Sequence, residues 1–187
     1  FERGFGAWRA SGPAGTKSFV AARQSPPKIV LVDRPDSPQS VIAGAQLTTL
    51  KGTDDLLPLI TANDVLGGNF LSRINTDLRE TKGWTYGVNG SVRRYEHAVP
   101  YIISAPVQAD RTGDSIKALQ GDVTSFLTTQ GITQPEFTRT INGFVRELSG
   151  NFETAGAVLT AMQTNDLAKR PDDYYATIAL KYRALTA

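Results

Sequence analysis

Hydrophobic and polar positions alternate in distinct rhythms along the chain. Two β-branched runs come first, "KIVLVDR" from Lys28 and "QSVIAGAQLTTL" from Gln39. They are separated by the turn chemistry of Arg34-Pro35-Asp36-Ser37-Pro38, and the pattern predicts two strands paired antiparallel. A strict alternation returns from Trp84 to Tyr95, and the spacing puts Trp84, Tyr86, Val88 and Val92 on one side. "PYIISAPVQ" is the expected partner strand, after a connection around Glu96-His97.

Helical spacing fills the rest. Thr53 is the expected cap of a helix that carries Asp54 and Asp55 at its positive end. Pro58 falls just past the first turn of that helix, and Leu56, Leu59, Ile60 and Val65 make its apolar face. Gly67-Gly68 stops it. Asn69 is the expected cap of the next helix, whose Phe70, Leu71, Ile74 and Leu78 share a face. Gly83 ends that helix. Leu71, Ile74, Leu78 and Val88 are expected in the core. Four more helices are predicted, over 110–129, 133–149, 154–168 and 171–185. Thr133 with Glu136 has capping-box spacing, and Pro135 is tolerated in the first turn. Strands and helices are grouped rather than alternating, which predicts an α+β fold: a mostly antiparallel sheet with helices packed on one face.

Composition narrows the class. With 187 residues, 40% of them hydrophobic and 20% charged, the chain is long and apolar enough to bury a core without staples. A net charge of +2 with scattered basic residues gives no nucleic-acid groove and no polybasic anchor. No apolar run approaches the ~20 residues that span a bilayer. The absence of cysteine removes disulfides, thiolate nucleophiles and cysteine-ligated zinc together. The opening "FERGFGAWRA" has neither methionine nor a signal pattern, so the chain reads as a fragment or a processed product. Residues 9–28 read as a linker or arm, stiffened by Pro26-Pro27.

Most familiar chemistries find no support. His97 is the one histidine, too few for a zinc hydrolase site or for a triad without a nucleophile elbow. "GPAGTKS" departs from a P-loop, since Thr16 separates Gly15 from Lys17. Asp54-Asp55 and Asp172-Asp173 sit at helix starts, where they offset the dipole. Arg79 and Tyr86 remain. One reading makes Arg79 a helix-end cap and Tyr86 a packed ring. The other lets Gly83 reverse the chain, so that guanidinium and phenol meet at one rim and face one cleft. Both are donors near neutral pH, suited to a carbonyl oxygen or an oxyanion rather than a metal.

The stretch "LGGNFLSRINTDLRETKGWTYGV", Leu66 to Val88, resembles the glycine–glycine, serine-arginine, leucine-arginine-glutamate and glycine-aromatic-tyrosine signature of the pitrilysin family. That family includes insulinase and the mitochondrial processing peptidase, zinc peptidases with an inverted H-x-x-E-H motif. "KIVLVDRPDSPQSVIAGAQ" is similar to the opening strands of the family's C-terminal domain. "NFETAGAVLTAMQTNDLAKRPDDYYATI" is similar to its late helices. The corresponding helix here reads "DDLLPLITANDVL", without the zinc motif, so the resemblance is to the domain that lacks the metal. It implies a processing-peptidase-like metallohydrolase domain over 28–187, cut short at its C-terminal end near "KYRALTA". Residues 1–27 would be the end of a preceding domain and the interdomain linker.

The resemblance carries functional expectations. Zinc would sit in the parent enzyme's other domain, with no metal and no cofactor site in this fragment. The partner would be that zinc-bearing peptidase domain, in the same chain or a separate subunit, and the substrate a peptide or unfolded protein. Arg79 and Tyr86 would hold the substrate and polarise its scissile carbonyl. The bacterial periplasm or export is the implied location. The alternative is a non-catalytic peptide-binding or scaffold domain of the same fold; H-x-x-E-H upstream of Phe1 or in a neighbouring gene would separate the two.

Overall fold

The computed structural model describes residues 2–9, 11–16, 18, 20, 26 and 34–187. The strand expected over 28–34 therefore lies almost wholly outside the described residues. The chain divides into two units, residues 1–35 and 36–187. Within the first, a short helix α1 spans Glu2–Phe5, and Arg9 turns back to bond the Gly6 and Trp8 carbonyls at 3.1 and 2.9 Å.

The second unit is built on a three-stranded antiparallel sheet. Its strands are β1 (Gln39–Leu47), β2 (Asn89–Val92) and β3 (Pro100–Gln108), in the order β1-β3-β2. Register is set by pairs such as Ile42 with Ala105 and Gly90 with Ile103. Glu96 and His97 form the tip of a tight reversal closed by Tyr95 and Ala98, as the sequence suggests. Inward-facing Tyr101, Ile103, Ala105 and Val107 alternate along β3 and meet Leu66, Ile74, Leu78, Val88 and Leu119 in the main core. The long helix α4 (Thr112–Thr128) covers this side of the sheet.

A second core lies among helices α2 (Leu57–Asn63), α5 (Gln134–Glu147) and α7 (Tyr174–Ala184). It gathers Leu57, Ile141, Tyr174, Ile178 and Tyr182, with Phe144 and Tyr182 rings 5.1 Å apart. The remaining helix α6 (Ala155–Leu167) is capped by Thr154, whose hydroxyl accepts from Ala157 N–H at 3.1 Å. The expected capping box of Thr133 and Glu136 is present. The α+β class, the antiparallel sheet and the four C-terminal helices thus agree with the sequence reading.

Three local expectations are corrected. Thr53 does not cap α2. The helix starts at Leu57, so Pro58 falls in its first two positions, where its missing N–H costs nothing. Asp55 instead accepts from Leu57 N–H at 3.0 Å. Asn69 does not cap the next helix either. Its side chain accepts from Leu71 N–H at 2.7 Å in a local turn, and Ser72 is the cap of α3 (Arg73–Asn75). Phe70 and Leu71 consequently lie in a loop, 61% and 60% exposed, and only Ile74 and Leu78 reach the core. Regular strand begins at Asn89, not at Trp84. Over 84–88 the chain is held to β3 by Thr85, whose hydroxyl donates to the Pro106 carbonyl, and by Gln108 N–H to Trp84 O at 3.0 Å.

The last turn of α2 widens through Asp64–Gly68. There Gly67 passes so close to Gly90 of β2 that a Cβ on Gly67 would lie 3.3 Å from the Gly90 backbone. Helix and strand thus cross backbone on backbone.

Candidate functional site

Arg79 sits in a wide helical turn, Thr76–Thr81, that continues α3. The turn is anchored by Leu78, which is fully buried, and it is closed by three amides. Lys82 N–H reaches Asp77 O, Gly83 N–H reaches Arg79 O and Trp84 N–H reaches Leu78 O, at 3.0, 3.1 and 2.9 Å. Gly83 adopts φ +66°, a conformation that a side chain disfavours. The reversal at Gly83 is therefore as expected.

The Arg79 guanidinium lies over the exposed ring of Phe70, its Cζ 4.1 Å from the centroid. Glu80 Oε1 is 3.3 Å from Nη1, but out of line for a hydrogen bond, so buried Nη1 makes none. Arg79 is thus held by the Phe70 ring and by an ion pair with Glu80.

Tyr86 lies just beyond the turn, at a bend. It is 88% exposed, so its phenol is not a packed ring of the core, and it does not share the inward side with Val88. The bend follows from Thr85: its hydroxyl also accepts from Gly87 N–H at 3.1 Å, which throws the intervening side chain outward. Tyr86 helps line a recess of about 120 Å³ with Gly83, Trp84, Gln39 and Gln108; Arg79 does not line it.

One residue that the sequence reading passed over connects the two positions. Asn75, 2% exposed, donates from Nδ2 to the Phe70 carbonyl at 2.6 Å and accepts at Oδ1 from Val88 N–H at 3.0 Å. The signal available in sequence was a polar side chain beside Ile74, on the apolar side of a predicted helix. Phe70 was equally missed as a platform, because it was assigned to that apolar face.

A charged group braces the same turn. Lys82 bonds both carboxylate oxygens of Asp77 and lies 5.7 Å from the Trp84 ring centre. Asp122 of α4 faces this pair, and burial, with the Asp77 charge, pushes its carboxyl up to about 6, against the pull of Lys82. Among the described residues no cluster of three or more His, Cys, Asp or Glu is placed to hold a metal, so the side chains described do not fit a zinc site.

Residues 1–144 match the family model of the peptidase M16 inactive domain. Among solved structures the chain is similar to the peptidase M16 inactive domain from Pseudomonas fluorescens, at 25% identity and a TM-score of 0.68 over 80% of this chain and 36% of that one. It is also similar to a zinc-protease candidate from Bordetella pertussis Tohama I, at 16% identity and a TM-score of 0.64 over 82% and 83% of the two chains. The periplasmic protease PqqL from Escherichia coli matches in fold at 12% identity and a TM-score of 0.66, over 81% of this chain and 17% of that one. This chain thus spans about a third of the length of the Pseudomonas relative. Curated proteins give no match.

Proposed function

The chain belongs to the M16 peptidases, as their inactive domain, and from that premise we propose that it closes over a zinc-bearing peptidase domain and grips the peptide to be cut. Zinc belongs in this reading to the other domain, where it would act as the Lewis acid of hydrolysis. This chain binds and orients. Arg79 clamps the substrate backbone by its charge, and Tyr86 donates a hydrogen bond to the scissile carbonyl oxygen as negative charge develops there.

The observation that carries the reading is the placement of two donors on either side of the Gly83 turn, neither consumed by the core. The Tyr86 phenol is in solvent, and the Arg79 side chain, 31% exposed, lies over the exposed ring of Phe70. A structural tyrosine would instead bury its ring, and Arg79 lacks the hydrogen-bonded carboxylate and carbonyls that tie Arg73 down.

The test uses the chain assembled with its peptidase domain. Tyr86→Phe should lower turnover by ~10²–10³, as loss of one oxyanion donor does, with zinc content and folding unchanged. Arg79→Ala should raise KM as well. Turnover unaffected by either change would favour a non-catalytic binding or scaffold role. The fold likeness to a periplasmic protease supports a periplasmic or exported parent; fractionation of the native host would test it.

A further inference from the structure

We infer that Asn75 is the positioning residue that joins the two halves of the candidate site, a role that rests on the function proposed for Arg79 and Tyr86. Its side-chain amide is nearly out of solvent and makes two bonds in opposite directions. Nδ2 holds the carbonyl of Phe70, and Oδ1 holds the amide of Val88. Phe70 carries the Arg79 guanidinium on its ring. Val88 follows Tyr86 by two residues, and Thr85 pins the chain on the other side. Tyr86 is therefore suspended between two fixed points, and one of them is Asn75.

What Asn75 ties together distinguishes this from ordinary core satisfaction. A buried amide with both ends bonded normally stabilises packed elements. Here one bond fixes exposed Phe70, and the other fixes Val88, a core residue that anchors Tyr86 two positions before it: Phe70 at 61% and Tyr86 at 88% themselves contribute little burial to the fold. The brace fixes where two solvent-facing aromatic side chains, and the arginine on one of them, stand relative to each other. Only a carboxamide offers a donor and an acceptor at this reach. Aspartate lacks the donor, and serine is too short to meet both partners.

The experiment begins with NMR of this chain. A guanidinium stacked on a ring has its Nε–Hε proton shifted upfield, and Phe70→Leu supplies the unstacked reference. Asn75→Asp and Asn75→Ser should both move the Arg79 Hε signal to that reference. Val88 amide protection should survive in Asn75→Asp, which keeps the acceptor, and fall in Asn75→Ser. An Arg79 signal unmoved in either folded variant overturns the proposal. The wild-type protein decides if neither variant folds: Asn75 side-chain protons should exchange slowly, and exchange at the rate of an exposed asparagine overturns it.

The second arm measures the assembled protease. Asn75→Asp should lower kcat by about 10- to 100-fold, as a misplaced binding group does, and raise KM as the displaced Arg79 does, with zinc content unchanged. If the Arg79 signal moves but turnover does not, Asn75 positions these residues and the catalytic reading of Arg79 and Tyr86 fails. If turnover falls while the Arg79 signal stays, the positioning role fails and the catalytic reading stands.

Discussion

Arg73 and Glu136 meet side by side across 63 positions of sequence: Nε and Nη2 of the guanidinium each reach one carboxylate oxygen at 2.7 Å. Nη1 and Nη2 also bond the Gln130 and Gly131 carbonyls, so one side chain ties α3 to the loop before α5. Arg73→Ala should cost about 1.5–3 kcal/mol, the range for hydrogen bonds to charged groups. Arg73→Lys should recover only part of it, because an ammonium cannot present the planar fork. Urea unfolding at pH 7 checks both.

The same pair makes stability fall in acid. The Arg73 hydrogen bonds hold the Glu136 carboxyl down at about 2, with help from Thr133 and against a smaller effect of burial. A depressed folded value means stability present above the ordinary carboxylate range and lost as pH drops from about 4.5 towards 2. Glu136→Gln should be less stable than wild type at pH 6, and the gap should shrink steadily by pH 2.5. A gap independent of pH would show that the charge of Glu136 contributes nothing.

Asp122 has the opposite sign. Its folded value is raised to about 6, so the native protein holds this proton more tightly than the unfolded chain does. Ionisation therefore lowers stability as pH rises from about 4 to 6. Its Oδ2 is buried without a hydrogen bond. Asp122→Asn should unfold at higher urea than wild type at pH 7, and the difference should vanish near pH 4. A variant less stable at pH 7 would mean that Lys82 attracts this carboxylate more strongly than burial and Asp77 oppose it.

Two leucines seven residues apart should respond very differently to truncation. Leu78 is fully buried in the main core, and Leu78→Ala should cost about 2–5 kcal/mol. Leu71 is exposed, and Leu71→Ala should fall within about 0.5 kcal/mol of wild type. Comparing their urea midpoints at equal slope tests the corrected helix start at Ser72.

This chain on its own should not bind zinc tightly. Its one histidine, at the hairpin tip, has no ligand cluster around it among the described residues. Metal analysis of tag-free protein after dialysis should return well under one equivalent. Stoichiometric, chelator-sensitive zinc would overturn the expectation.

The elements that carry the strongest local signals were legible in the sequence. The run at Gln39 and its later partner at Pro100 could hardly be anything but strands, and the capping box at Thr133 fixed the start of α5. Partner choice was less accessible. β1 pairs with β3, about 60 residues on, a non-local preference that no short-range pattern encodes. The site was half legible. Arg79, Gly83 and Tyr86 stood out, yet periodicity set Tyr86 on the side of Val88 and placed Leu71 in the core. Both errors have one cause: a side chain bonding to nearby backbone, Asn69 in one case and Thr85 in the other, breaks a rhythm that is otherwise regular.

The Gly67–Gly90 crossing has a practical consequence for anyone who wishes to label or lengthen this domain. Two backbones in contact leave no side chain whose trimming could absorb a shift, so residues added within 64–68 or 89–92 would translate helix and strand against each other.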